Sequence, residues 1–236
     1  YVDAESAASA QHYFEQAIAL DPGFARAIAA LALVHLRYAI DGWTTTPQLA
    51  LHKAAEFTGQ AAALNPTIPQ IHFAAGQLAL FRGRHEEAVA AVQRAIHLSP
   101  SYADAYALLA WIYNYAGRPD EALASLEKAW FLNPVVSASY TVILGEIHFQ
   151  RGEYVDAESA FERVLQLNPA HMRARMWLVA TLVQSGDIDE AAWQAEMLQL
   201  SFPGFSLLQL DYAFPFHDQG VRERVLQGLS RAGLPD

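Results

Sequence analysis

Cysteine is absent from the 236 residues. That excludes a disulfide framework, a thiolate nucleophile and cysteine metal ligation, and it fits a reducing, cytoplasmic setting. Charge is scarce: 17% of residues are charged, with 15 Lys+Arg against 25 Asp+Glu and a net charge of −10. So acidic a chain repels phosphate, and nucleic acid is not an expected partner. Long apolar runs are also missing. AIAALALV (27–34) is stopped by His35 and Arg37, short of the ~18 residues a membrane span needs. The opening YVDAESAASA carries acidic residues where a secretory leader needs basic ones, and it begins with Tyr. The chain is therefore expected to be a piece of something longer, with no membrane partner.

Catalytic signatures are missing too. No H-E-x-x-H occurs, and RHEEA (84–88) reads as a helix start with a single His. His35 and His148 are read as packing residues rather than metal ligands. GDIDE (186–190) lacks the spaced ligands of a Ca²⁺ loop and reads as a helix cap. No G-x-S-x-G, phosphate-binding loop or dinucleotide fingerprint is present. No catalytic residue, cofactor or metal site is expected.

What is present is repetition. Prolines after apolar runs stand at Pro22, Pro66, Pro100, Pro134, Pro169 and Pro203, at spacings of 44, 34, 34, 35 and 34. Gly83, Gly117, Gly152 and Gly186 each precede their Pro by 17 residues. Ala10, Ala54, Ala88, Ala122, Ala157 and Ala191 each precede theirs by 12. Three residue types locked to one period mark a solenoid. Abundant Ala and few β-branched residues make its elements helices.

Chemistry explains the period. Gly ends a first helix in FRG, YAG, QRG and QSG, because it accepts the left-handed backbone there. Acidic residues follow at once (Glu86 and Glu87, Asp120 and Glu121, Asp156, Asp189 and Glu190), where a helix N-terminus attracts negative charge. A second helix then carries small and apolar residues at spacings of 3 and 4, and Pro stops it.

The pattern resembles the tetratricopeptide repeat. Its first-helix signature matches Tyr106, Leu109, Ala110 and Tyr113. Its second-helix signature matches Ala10, Phe14, Ala17 and Pro22, and again Ala157, Phe161 and Pro169, with Val164 in place of the last Ala. The resemblance implies an all-α, right-handed superhelical solenoid of antiparallel helix pairs. Residues 1–22 form a half repeat with only its second helix, 23–203 form five repeats, and 204–236 form C-terminal capping helices. An insertion near 40–50 (IDGWTTTPQLA) is read as a longer turn, with Thr46-Pro47 opening the next helix and Trp43 as a lid or a contact residue. The fifth repeat gains a residue near 140–145, expected to lengthen its first helix. In the sixth, Arg175 and Ala195 replace bulky groups, so looser packing is expected. FSLLQLDYAF (205–214) reads as one more first helix and VRERVLQGLSRAG as a capping helix.

In this family first helices line the concave face, where extended or helical peptides bind. Carried over, that face holds Arg26, Leu33 and Arg37, then Phe73, Gln77 and Phe81. It continues with Trp111, Asn114 and Tyr115, then Glu146, Phe149 and Gln150, and ends with Met176, Trp177 and Gln184. The rings either anchor a partner or fill the gap between neighbouring first helices, and the residue pattern leaves both open. Lysine is too rare for the basic clamp that holds acidic chaperone tails in some relatives. Tyr13, Phe14 and Ile18 form the face of a second helix without its first, an expected self-association surface and hence a homodimer contact.

The phrase AFPF-D…VRERVLQGLSRAGLPD and the DGW insertion resemble a bacterial group in which such arrays follow a class III adenylate cyclase or a winged-helix domain. The expected function is a non-catalytic interaction scaffold for a protein or peptide, serving a signalling protein such as an adenylate cyclase. The alternative is the regulatory region of a winged-helix transcription factor.

Overall fold

The computed structural model describes residues 3–135, 137–210 and 215–235. Among them are twelve α-helices, one four-residue 3₁₀ turn and no strand. The all-α expectation is met. No helix among the described residues is long and apolar enough to cross a membrane. The chain divides into two compact units, one ending at Leu108 and one beginning at Leu109.

In the N-terminal unit, α1 (Ala4–Leu20) packs on α2 (Ala25–Ile40), which pairs with α3 (Pro47–Leu64). Then α4 (Pro69–Phe81) pairs with α5 (His85–Leu98), and α6 (Ala103–Tyr115) begins. One core cluster gathers Ala25, Ile28, Ala29, Ala61, Ile68 and Ile71, with Ile18 and Phe57 against it. A second gathers Leu36, Ala54, Ala74 and Leu78. The C-terminal unit continues with α7 (Pro119–Leu132), α8 (Ala138–Arg151), α9 (Tyr154–Leu167), α10 (Met172–Ser185) and α11 (Ile188–Ser201). There α7 packs on α8, α8 on α9, α9 on α10 and α10 on α11.

The periodic residues play the parts expected of them. Gly83, Gly117, Gly152 and Gly186 sit at φ 68°, 78°, 77° and 93°, the left-handed backbone that ends each first helix. Asn65 and Asn168 accept the N–H of Thr67 and Ala170 at 3.0 and 3.1 Å, which turns the chain out of each second helix at its Asn-Pro. Ala54, Ala88, Ala122, Ala157 and Ala191 are fully buried. Close approach is obligatory on the partner helix as well: a Cβ on Gly145 would stand 2.6 Å from the Phe161 ring.

Four expectations need correction. The insertion does not simply lengthen a turn: α2 has 16 residues where α4 has 13, and α3 has 18 where α5 has 14, so helix growth takes much of it. Pro47 does open α3, and Trp43 lies half-buried with the Arg37 guanidinium 5.6 Å from its ring. The sixth repeat is not loosely packed. Every residue of α10 from Ala174 to Val183 is buried, and Arg175 is accommodated there by donating to the Gln194 side chain and, at 2.6 Å, to the Pro169 carbonyl. Residues 205–214 do not begin as an α-helix. A 3₁₀ turn occupies Leu207–Leu210, and 211–214 lie outside the described residues. The capping helix is present as α12 (Gln219–Arg231), with Val221, Val225 and Leu229 buried, and it packs on α10. The extra residue of the fifth repeat does not lengthen its first helix: α8 and α10 both have 14 residues, and α8 begins four residues after Pro134 where α6 and α10 begin three after Pro100 and Pro169.

Candidate aromatic and polar peptide-binding face

On an α-helix, residues three and four apart share a side. Trp111, Asn114 and Tyr115 therefore lie on one face of α6, Glu146, Phe149 and Gln150 on one face of α8, and Arg173 and Trp177 on one face of α10. The structure brings these three faces together within the C-terminal unit. Trp111 and Tyr115 meet edge to face with centroids 5.8 Å apart. Phe149 and Trp177 meet the same way at 5.2 Å.

At the centre stands Glu146, which is 0% exposed. A carboxylate in an apolar surround must be paired. Arg173 supplies the pair with two donated bonds, Nε to Oε1 at 2.7 Å and Nη2 to Oε2 at 2.8 Å. The guanidinium also lies 3.9 Å from the centroid of the Trp111 ring, so one cation serves a carboxylate and an aromatic face together. Burial pushes the Glu146 carboxyl up to about 7, while Arg173 and the indole N–H groups of Trp111 and Trp177 pull it back down. Burial raises the Tyr115 hydroxyl too, with Glu146 adding to it.

The set is closed rather than open. Trp111, Asn114, Tyr115, Glu146, Phe149 and Trp177 are all at 4% exposure or less. Part of the cover is the chain's own Phe216, whose ring lies parallel to Tyr115 at 4.1 Å and edge-on to Trp177 at 6.0 Å. Next to it the His217 N–H donates to the Tyr115 carbonyl at 2.8 Å. That carbonyl belongs to the last residue of α6, where a helix leaves its C=O groups without intrahelical partners.

The corresponding residues of the N-terminal unit stand differently. Phe73, Gln77 and Phe81 on α4 are half-buried, and Phe73 stacks on Tyr102 at 5.4 Å. Arg37 is paired with Asp41 at 2.7 Å. On α1, Tyr13 is 67% exposed and Phe14 half-buried, whereas Ile18 turns into the core cluster. Ile18 is thus a packing residue, and the open part of that strip is Tyr13 with Phe14.

Sequence reasoning missed Arg173 and Phe216. Arg173 had a signal: Glu146 in the middle of an apolar helix demands a cation, and Arg173 stands one turn before Trp177 on the next first helix. Phe216 had none beyond its place between a proline and the Asp218 that caps α12. Elsewhere, His148, Glu153 and Asp156 offer ligand atoms within 4.8 Å of one another. Their geometry is that of a turn: His148 Nδ1 lies 2.6 Å from Glu153, and Arg151 Nε 3.1 Å from it.

The family model described as tetratricopeptide repeat matches residues 79–138 and 148–209, more than half of the chain. The chain belongs to the tetratricopeptide repeat family. Members are protein-interaction scaffolds, and the fold is typically non-catalytic. No curated protein sequence matches the chain. Among solved structures it is similar to a thermophilic tetratricopeptide protein of Thermus thermophilus, at 20% identity and TM-score 0.60 over 84% of this chain and 99% of that one. It is also similar to PilW, a widely conserved type IV pilus biogenesis factor, at 16% identity and TM-score 0.58 over 84% and 90% of the two chains. PilF of Pseudomonas aeruginosa gives 22% identity and TM-score 0.53 over 89% and 88%. At these identities the likeness concerns the fold alone.

Proposed function

We propose that this tetratricopeptide chain is a non-catalytic scaffold that binds a protein or peptide partner through its first-helix faces. Trp111, Asn114, Tyr115, Glu146, Phe149 and Trp177 act in the C-terminal unit, and Phe73, Gln77 and Phe81 in the N-terminal one. The observation that carries this reading is the buried Glu146–Arg173 pair set among Trp111, Tyr115 and Trp177. A solenoid core needs no such pair, since apolar residues of similar volume do as well or better there. Rigid aromatics beside fixed polar groups are what binding hot spots are made of. Calorimetry against a partner obtained by affinity capture tests it. A Trp111→Ala/Tyr115→Ala double variant with an unchanged circular dichroism spectrum should lose ~2 kcal/mol or more of affinity. Because those rings are buried, Phe81→Ala serves as a second, milder variant. Undiminished affinity in both would make these rings packing residues.

The setting we propose is the cytoplasmic regulatory region of a bacterial signalling protein such as an adenylate cyclase. It rests on the resemblance of the C-terminal phrase and the DGW insertion; a winged-helix regulator is the alternative, and assays for cyclase activity and for DNA binding by the native protein decide between them. Self-association through α1 is part of the same reading, supported by the exposure of Tyr13. Light scattering across a concentration series should show a dimer that Phe14→Glu abolishes, and a monomer at all concentrations would remove it.

A further inference from the structure

The partner-binding face of the C-terminal unit already holds an occupant. Pro215, Phe216 and His217 belong to no helix or strand. The Phe216 ring stacks on Tyr115 at 4.1 Å and meets Trp177 at 6.0 Å. The main chain beside it donates the His217 N–H to the Tyr115 carbonyl at 2.8 Å. A buried aromatic ring with an adjacent main-chain hydrogen bond is how an extended peptide docks on a protein surface. The segment is anchored independently on its C-terminal side, because α12 is capped by Asp218 and packs on α10 through its own apolar face. Release of Phe216 therefore does not require release of α12.

A second observation points to a ligand. The Asn114 side chain is 0% exposed, and neither its Nδ2 nor its Oδ1 has a hydrogen-bond partner. The Gln150 Oε1 on α8 is buried and unpartnered as well. Buried polar atoms are nearly always paired, so each such group calls for an explanation. A carboxamide offers a donor and an acceptor side by side, the complement of a peptide main chain. Asn114 lies on the same side of α6 as Trp111 and directly precedes Tyr115, the residue that Phe216 covers.

Resting on the scaffold reading above, we propose that this face takes an extended peptide bearing an aromatic side chain, and that residues 215–217 are its built-in competitor. The incoming ring replaces Phe216 against Tyr115 and Trp177, and the incoming main chain pairs with Asn114. Apparent affinity is then set by the fraction of molecules in which Phe216 has left its site.

The probe is a fluorescently labelled peptide of the chain's own residues 214–219, titrated into the full chain and followed by anisotropy. The Phe216→Ala chain should bind it about tenfold more tightly than the parent, as removal of a competing state predicts. His217→Pro, which deletes the N–H donor and keeps the ring, should shift affinity the same way and guards against a misfolded Ala variant. The same peptide with Ala in place of Phe216 should fail to bind, and with Tyr there it should bind. Equal affinity of the parent and both variants, or no binding to any of them, overturns the proposal. So does a parent dimer that Phe216→Ala converts to monomer, since the occupant would then be a second copy. A captured partner that binds parent and Phe216→Ala equally would overturn this proposal and leave the scaffold reading standing.

Discussion

Phe81 on α4 and Tyr115 on α6 stand at the same repeat position, before Pro100 and Pro134, and the two units treat them differently. On α4 of the N-terminal unit, Phe73, Gln77 and Phe81 stay half-exposed, with no ionised group buried among them. On α6, α8 and α10 of the C-terminal unit, Tyr115 and the rings around it enclose the Glu146–Arg173 pair and are shut from solvent. The repeat therefore sets where these side chains stand, and what covers them is set elsewhere. In the C-terminal unit part of that cover comes from Phe216, which lies outside the repeat.

The sharpest test of this contrast is electrostatic. At pH 8, above the Glu146 titration, Arg173→Ala would leave that carboxylate buried without its cation and should destabilise the C-terminal unit by ~3–5 kcal/mol. Arg37→Ala, which breaks the Arg37–Asp41 pair at a partly exposed site, should cost no more than ~1 kcal/mol. Urea unfolding of both full-chain variants makes the comparison, and similar losses would erase the distinction between the two faces.

A smaller effect separates the units by pH. Burial raises the Glu146 carboxyl from its ordinary 4.5 to about 7. The folded C-terminal unit then holds a proton that the unfolded chain gives up. Its stability contribution is full below about 4.5 and is lost as pH rises through about 7. In the N-terminal unit, burial lowers the pKa of His35 below its ordinary 6.5, with Lys53 adding to the effect and Glu15 opposing it. That contribution is full above 6.5 and is lost as pH falls. Amide exchange across the full chain should show α8 losing protection from pH 5 to 8 while α2 gains it. Glu146→Gln should flatten the first trend and leave the second, and parallel trends in both helices would refute the assignment.

Much of the fold was legible because its determinants are local. A left-handed backbone needs Gly, a second helix ends at Asn-Pro, and the closest helix contacts leave room for Ala alone. Each of these can be read within one repeat, and each recurs at Gly152, Asn168 and Ala157. The sixth repeat was misjudged for a non-local reason: Arg175 looks like a packing defect until Gln194, nineteen positions away, supplies its acceptor. The insertion was misjudged because a turn and two lengthened helices absorb the same residues equally well in a one-dimensional pattern.

The sequence by itself determined the helices, their pairing and the residues that share a side of each first helix, since helical periodicity and turn chemistry act over a few positions. It named Trp111, Tyr115, Glu146 and Trp177, but not the cation that serves Glu146 or the ring that covers Tyr115. Arg173 lies 27 residues from Glu146, and Phe216 stands about a hundred residues beyond Tyr115, outside the periodic code. Only the tertiary structure decided those contacts. Burying a charge or a large ring depends on what arrives from distant parts of the chain, and no local spacing encodes that arrival.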